Sequence, residues 1–238
     1  MSVRRVVFDR PVAVIGDIHG RLDHLDRLLA KLGGLPIVVA GDLCDRGPDT
    51  RGVIDRLIER GAVGVMGNHD EWLLAWANGE GFDTMALSPM MAGGATLASY
   101  GVEGRTPSGV EAQAWRVPSA HREFLRGLAV ALDLVVCGSQ WWVVHAGIAP
   151  HVEVAGLILE EVVPHLARTQ RSTLLWSSTD PAVTLPVDRP VIMGHIVQRE
   201  PYDGGHVLAI DTGCGTTPGG YLTAVVLPER RFVTSKEE

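Results

Sequence analysis

Cysteine is scarce: Cys44, Cys137 and Cys214 are the only three in 238 residues, too few and too scattered for a disulfide framework or a thiolate zinc site. Each is expected to be a small buried hydrophobe in a reducing compartment. Basic charge is also short. The 21 Lys and Arg against 28 Asp and Glu give a formal net charge of −7, which leaves no electrostatic footprint for nucleic acid. No apolar stretch approaches the roughly 20 residues that a bilayer span requires. The opening Met1-Ser2-Val3-Arg4-Arg5 leads into Asp9-Arg10 and not into an apolar signal core. A cytoplasmic protein with no membrane and no nucleic-acid partner is expected. Solenoid-period repeats and low-complexity tracts are missing as well, and oligomeric state leaves no signature.

What is present is apolar sequence in short runs. With 46% hydrophobic residues the chain can bury a sizeable core, and its length fits one domain over 1–238. Val12-Ala13-Val14-Ile15, Pro36-Ile37-Val38-Val39-Ala40 and Ala62-Val63-Gly64-Val65-Met66 read as strands. Helical periodicity follows each of them: Leu22, Leu25, Leu28, Leu29 and Leu32; then Val53, Ile54, Leu57 and Ile58; then Glu71 to Trp76. Strands alternating with helices imply an α/β chain with a parallel sheet. Residues 78–118, broken by Pro89, Gly93-Gly94, Gly101, Gly104 and Pro107, predict short helices and loops forming a cap. Ser119 reads as an N-cap ahead of Phe124, Leu125 and Leu128, and Leu132 to Cys137 turns at Gly138-Ser139 into Trp141-Trp142-Val143-Val144. The Trp pair reads as strand packing. Val154 to Leu166 looks helical, and Pro190 to Met193, His206 to Ile210 and Tyr221 to Leu227 read as strands. The charged tail 229–238 is expected to fray.

Polar residues stand immediately after these apolar runs, where strands of an α/β protein end and keep their chemistry. They are Asp17 and His19 in Gly16-Asp17-Ile18-His19-Gly20, Asp42 in Gly41-Asp42-Leu43-Cys44-Asp45-Arg46-Gly47, Asn68 in Gly67-Asn68-His69-Asp70, and the isolated His145 and His195. Two divalent metal ions need a shared anionic ligand such as the Asp42 carboxylate, with neutral imidazoles and a carboxamide completing their shells. A hydroxide bridging the metals could then attack phosphorus. His69, with Asp70 behind it, would protonate the leaving group, and Arg46, aimed by Asp45, would grip phosphate oxygens.

These blocks together resemble the phosphoprotein phosphatase branch of the calcineurin-like metallophosphoesterases, over about Val12 to Val226. The resemblance implies a β-sandwich of two mixed sheets flanked by helices. It implies one metal on Asp17, His19 and Asp42 and a second on Asp42, Asn68, His145 and His195, with His69 the general acid, Asp70 its partner and Arg46 on phosphate. Manganese is the metal expected first, and an all-N/O donor set also admits Fe, Zn, Ni or Co. Gly93-Gly94-Ala95-Thr96-Leu97-Ala98-Ser99-Tyr100-Gly101, His145-Ala146-Gly147-Ile148 and Ile210-Asp211-Thr212-Gly213 echo bacterial members.

One position departs from that pattern. After Leu174-Leu175-Trp176 relatives carry a second phosphate-binding arginine, and this chain has Ser177-Ser178. Arg171 or Arg199 is a candidate substitute. Asp211 is expected to be a buried turn or supporting residue, and His24, His121, His151, His165 and His206 to be solvated. The activity implied is hydrolysis of phosphomonoesters, first as a Ser/Thr-type protein phosphatase acting on a phosphorylated protein. The alternative is a symmetrical bis(5'-nucleosyl)-tetraphosphatase acting on a dinucleoside polyphosphate, and behind both stands a weakened binding protein, motivated by Ser178.

Overall fold

The computed structural model describes residues 3–103 and 106–237; the break expected at Gly104 and the last residue of the tail lie outside them. In chain order the elements are β1 (Val3–Phe8), β2 (Val12–Ile15), α1 (Leu22–Leu32), β3 (Ile37–Val39), α2 (Thr50–Glu59), β4 (Val63–Gly64) and α3 (Asn68–Ala77). Short helices α4 (Gly94–Ser99) and α5 (Pro107–Glu111) precede α6 (Ser119–Gly127), β5 (Ala131–Val136) and β6 (Ser139–Val144). Then come α7 (Leu159–Thr169), α8 (Arg171–Trp176), β7 (Val191–Met193), β8 (Tyr202–Asp203), β9 (Val207–Ala209), β10 (Thr223–Leu227) and β11 (Arg231–Thr234).

The strands form two mixed sheets, ordered β1-β5-β6-β7-β9-β8 and β11-β10-β2-β3-β4. Within them β2, β3 and β4 run parallel, as do β6, β7 and β9. Alternate residues of each strand explain why the runs are apolar throughout. Val12, Val14 and Val38 face Leu132, Trp141, Val143 and Ile192 between the sheets, while Ala13, Ile15 and Val39 face Leu25, Leu28, Ile54 and Leu57 of the helices. On the far side Trp142, Val144 and Val191 pack against Val162, Val163 and Leu166 of α7. Strands covered on both faces lose the polar alternation of a half-exposed sheet, and each fully buried Val or Leu contributes about 1.5–3 kcal/mol.

Several expectations are corrected. The segment Val3–Phe8, for which the sequence predicts no element, is a strand paired parallel with β5. The tail does not fray: Arg231–Thr234 pairs antiparallel with β10, and the buried Ser235 Oγ accepts the Leu222 N–H at 2.9 Å. Pro118, not Ser119, is the cap of α6. The helix expected from Val154 begins at Leu159, and α3 begins at Asn68, inside the motif. Cys44 and Cys214 are buried, whereas Cys137 is exposed at the β5–β6 turn with φ 50°, where it and Gly138 supply the two left-handed residues of a tight hairpin. His121 is buried between the Tyr100 hydroxyl and the Asp55 carboxylate, 2.8 Å from each. His24 meets Ser235 Oγ at 2.7 Å, and His206 Nε2 accepts the Val187 N–H at 3.2 Å.

Candidate active site

The chain leaves β2, β3, β4, β6 and β7 along one edge of the sandwich, so both sheets deliver their motif loops to the same place. These loops turn sharply. His19, Asp42, Asp45, Arg46 and His195 all have positive φ, between 49° and 69°, a conformation non-glycine residues hold only where the surroundings enforce it. The glycines beside them permit close approach. A Cβ on Gly67 would collide with the Asp42 carboxylate, and one on Gly194 with that of Asp17.

Two donor groups share Asp42: His19, Asp42 and His69, and Asp42, His145 and His195, with ligand atoms within 4.8 Å of one another in each. His19 Nδ1 donates to the Cys44 carbonyl at 2.8 Å, and His145 Nδ1 to the Ala40 carbonyl at 2.8 Å. A carbonyl only accepts, so both rings carry their proton on Nδ1 and turn the Nε2 lone pair inward. The His145 Nε2 lies 3.3 Å from Asp42 Oδ1, 3.0 Å from Asn68 Oδ1 and 3.2 Å from His195 Nδ1. His19 Nε2 lies 3.6 Å from Asp42 Oδ2. Acceptors therefore converge on one another, an arrangement that calls for positive charge between them. Burial and these close charges shift the proton affinities. Burial lowers that of His145, but Asp42 and Asp17 outweigh it and lift its pKa to about 10; burial and then the neighbouring His145 pull His195 down to about 4. Asp17, whose oxygens accept the His195 N–H at 3.1 Å, is pushed well above the carboxylate range by burial and by Asp211 and Asp42. The donor set fits divalent cations.

His69 differs from these rings. Its Nδ1 donates to a carboxylate, Asp45 Oδ2 at 2.6 Å, and its Nε2 is 3.9 Å from Asp42 Oδ2. Burial opposes its protonation, yet Asp42 and Asp45 together raise its pKa. Asp70, expected behind His69, lies elsewhere: its carboxylate accepts the Leu43 and Gly67 N–H groups, each at 2.9 Å, and clasps two motif loops together. Burial, then Asp42, raises its pKa to about 6. Asp45 does not aim Arg46 either. Its second oxygen accepts the Thr96 hydroxyl at 2.7 Å, and the Thr96 oxygen accepts the Asp45 N–H at 2.8 Å. Arg46 contacts His19 Nε2 and donates to Thr216 Oγ1 at 3.0 Å. Thr96 and Thr216 were not foreseen as site residues; Thr96 lay in the Gly93-to-Gly101 block, and Thr216 in no motif. Asp211 accepts the Gly213 N–H at 2.8 Å in a buried turn. Ser178 is exposed, as is Arg199, and Arg171 pairs with Glu71 at 2.9 Å.

The family model for calcineurin-like phosphoesterases matches residues 10–206. The chain belongs to that family. A bis(5'-nucleosyl)-tetraphosphatase PrpE [asymmetrical] of Oceanobacillus iheyensis is 26% identical, covering 94% of this chain and 91% of the relative. Serine/threonine-protein phosphatase 1 of Salmonella typhimurium is 41% identical over 27% of this chain and 32% of its own length. A protein serine/threonine phosphatase from Saccharomyces cerevisiae shares the fold, with a TM-score of 0.60 at 15% identity over 99% of this chain and 84% of the neighbour. The protein is accordingly a phosphate-ester hydrolase of the metallophosphoesterase type. Among its described residues no helix is long and apolar enough to cross a membrane.

Proposed function

We propose that this chain is a two-metal hydrolase of phosphate anhydrides whose substrates are dinucleoside polyphosphates. One observation carries the chemistry: His19 and His145 rest their Nδ1 protons on neutral carbonyls, whereas His69 rests its own on the Asp45 carboxylate. A carbonyl fixes the proton on Nδ1 and directs Nε2 toward a cation, and a carboxylate stabilises the charged ring and makes it a proton carrier. Asp17, His19 and Asp42 would hold one ion, and Asp42, Asn68, His145 and His195 the other. The ions would supply an acidified water and charge neutralisation at the transferring phosphoryl group. Arg46, turned toward His19, binds a non-bridging oxygen. As a water oxygen joins phosphorus and the bridging P–O bond breaks, His69 gives its Nε2 proton to the leaving oxygen. Asp45 holds the ring and stabilises its charge beforehand.

The substrate class is supported by the tetraphosphatase relative, which aligns with nearly the whole chain, whereas the protein phosphatase match is confined to about a quarter of it. Protein dephosphorylation is the second reading, favoured by the identity within that shorter segment. Metal-free protein given Mn²⁺ should hydrolyse diadenosine tetraphosphate faster than a phosphoserine peptide. The reverse order would assign the second reading, and no turnover of either would overturn both.

A further inference from the structure

A line of aromatic rings runs from the acid to solvent. Trp72 lies three residues after His69 on α3, one turn along the same face, and meets the His69 ring edge-on at 5.6 Å between centroids and 70° between planes. Trp176, the last residue of α8, meets Trp72 at 5.2 Å and 60°. Trp72 is half-buried, while Trp176 is 38% exposed. Arg171 and Glu71, one on each helix, pair at 2.9 Å and tie together the two elements that carry the tryptophans. This rail starts at the proton donor, so it borders the side from which the leaving group departs. It also ends two residues before the exposed Ser178.

We infer that Trp72 and Trp176 form a stacking platform for the base of the leaving nucleotide, a subsite that selects polyphosphates carrying a planar base over the same anhydride without one. The inference rests on the anhydride-hydrolase reading above. A base offers a π face whatever its identity, so the platform recognises nucleotides without reading which base they carry. Binding energy from this remote group can be used at the reacting phosphorus.

The test compares kcat/KM for diadenosine tetraphosphate with that for inorganic tripolyphosphate, in Mn²⁺-loaded wild type, Trp176→Ala and Trp176→Phe. Trp176 does not touch His69 in the ring series, so its replacement leaves the acid's own contacts in place. The ratio should fall about tenfold in Trp176→Ala, or about 1.4 kcal/mol, a loss of the size that base–aromatic stacking produces, and should recover to within threefold of wild type in Trp176→Phe. An unchanged ratio in Trp176→Ala overturns the platform. So does wild type that cleaves tripolyphosphate but not the dinucleotide, which leaves anhydride hydrolysis intact and removes the dinucleotide as substrate. Wild type inert to both substrates overturns the hydrolase reading itself.

Discussion

His69 and Asp70 are neighbours in sequence and face different ways. Helix α3 already begins at Asn68, and successive residues on a helix do not face each other. Asp70 therefore reaches back to the Gly67 and Leu43 amides, and the ring of His69 is met by Asp45 from the loop 41–47. The candidate metal-ligand types were legible because each follows an apolar run, and their role as ligands stays a proposal. The acid's partner was not, because it depends on left-handed turns at Asp42 and Asp45 that no periodicity announces. Asp45→Asn should lower kcat about 10²- to 10³-fold on an alkyl phosphate and less on nitrophenyl phosphate, whose leaving group needs no proton. Combined with His69→Asn it should cost little more than His69→Asn alone, and additive losses would show that the two residues do not act as a unit. Asp70→Asn should instead appear in stability. One of the two buried N–H groups would face a carboxamide NH2 and lose its acceptor, at about 1–3 kcal/mol in urea unfolding. Gly194→Ala probes the close approach to Asp17: its backbone suits alanine, but the added carbon meets that carboxylate. Isothermal titration should show weakened Mn²⁺ binding, and unchanged affinity would mean that the loop yields.

The strands missed in the sequence have a common position. Strands β1 and β8 are the two edges of the six-stranded sheet, and β11 is an edge of the other. An edge strand has one neighbour and much solvent contact, so its pattern is diluted; Val3–Phe8 alternates exposed Arg and Val with half-buried residues. Central strands, apolar on both faces, were read within a residue or two. The tail strand β11 brings Ser235 to a buried spot, where its hydroxyl serves both the Leu222 N–H and His24 of α1. Ser235→Ala would leave the buried Leu222 N–H unpaired and should cost about 1–3 kcal/mol. A lower urea midpoint with constant slope would express it, and an unchanged midpoint would show that the hydroxyl is dispensable. Helix α4 matters for a different reason: it carries Thr96, which fixes both the backbone and the carboxylate of Asp45.

At the scale of the whole molecule, the site joins two sheets whose facing sides pack through apolar side chains. Asp17, Asp42 and Asn68 come from the loops of one sheet, and His145 and His195 from the other. The alternation of strands and helices was legible from run length and periodicity; the two-sheet layering and the convergence of the five loops were legible only through the motifs and the resemblance they carry, because spacing along a chain does not state which strand ends meet. Cations seated among these acceptors would bind the folded chain and not the unfolded one, since no unfolded ensemble assembles donors from both sheets. Linkage then requires stabilisation of about 2.7 kcal/mol at a metal concentration a hundredfold above its dissociation constant. For a chain of 238 residues that corresponds to a rise in melting temperature of roughly 5–10 °C. Chelator-treated protein should therefore melt lower than protein in Mn²⁺. Asp42 belongs to both donor groups, so Asp42→Asn should abolish the rise, whereas loss of a ligand to one ion, as in His19→Ala, should remove only part of it. Equal melting temperatures with and without metal in wild type would show that the two sheets are not coupled through the site.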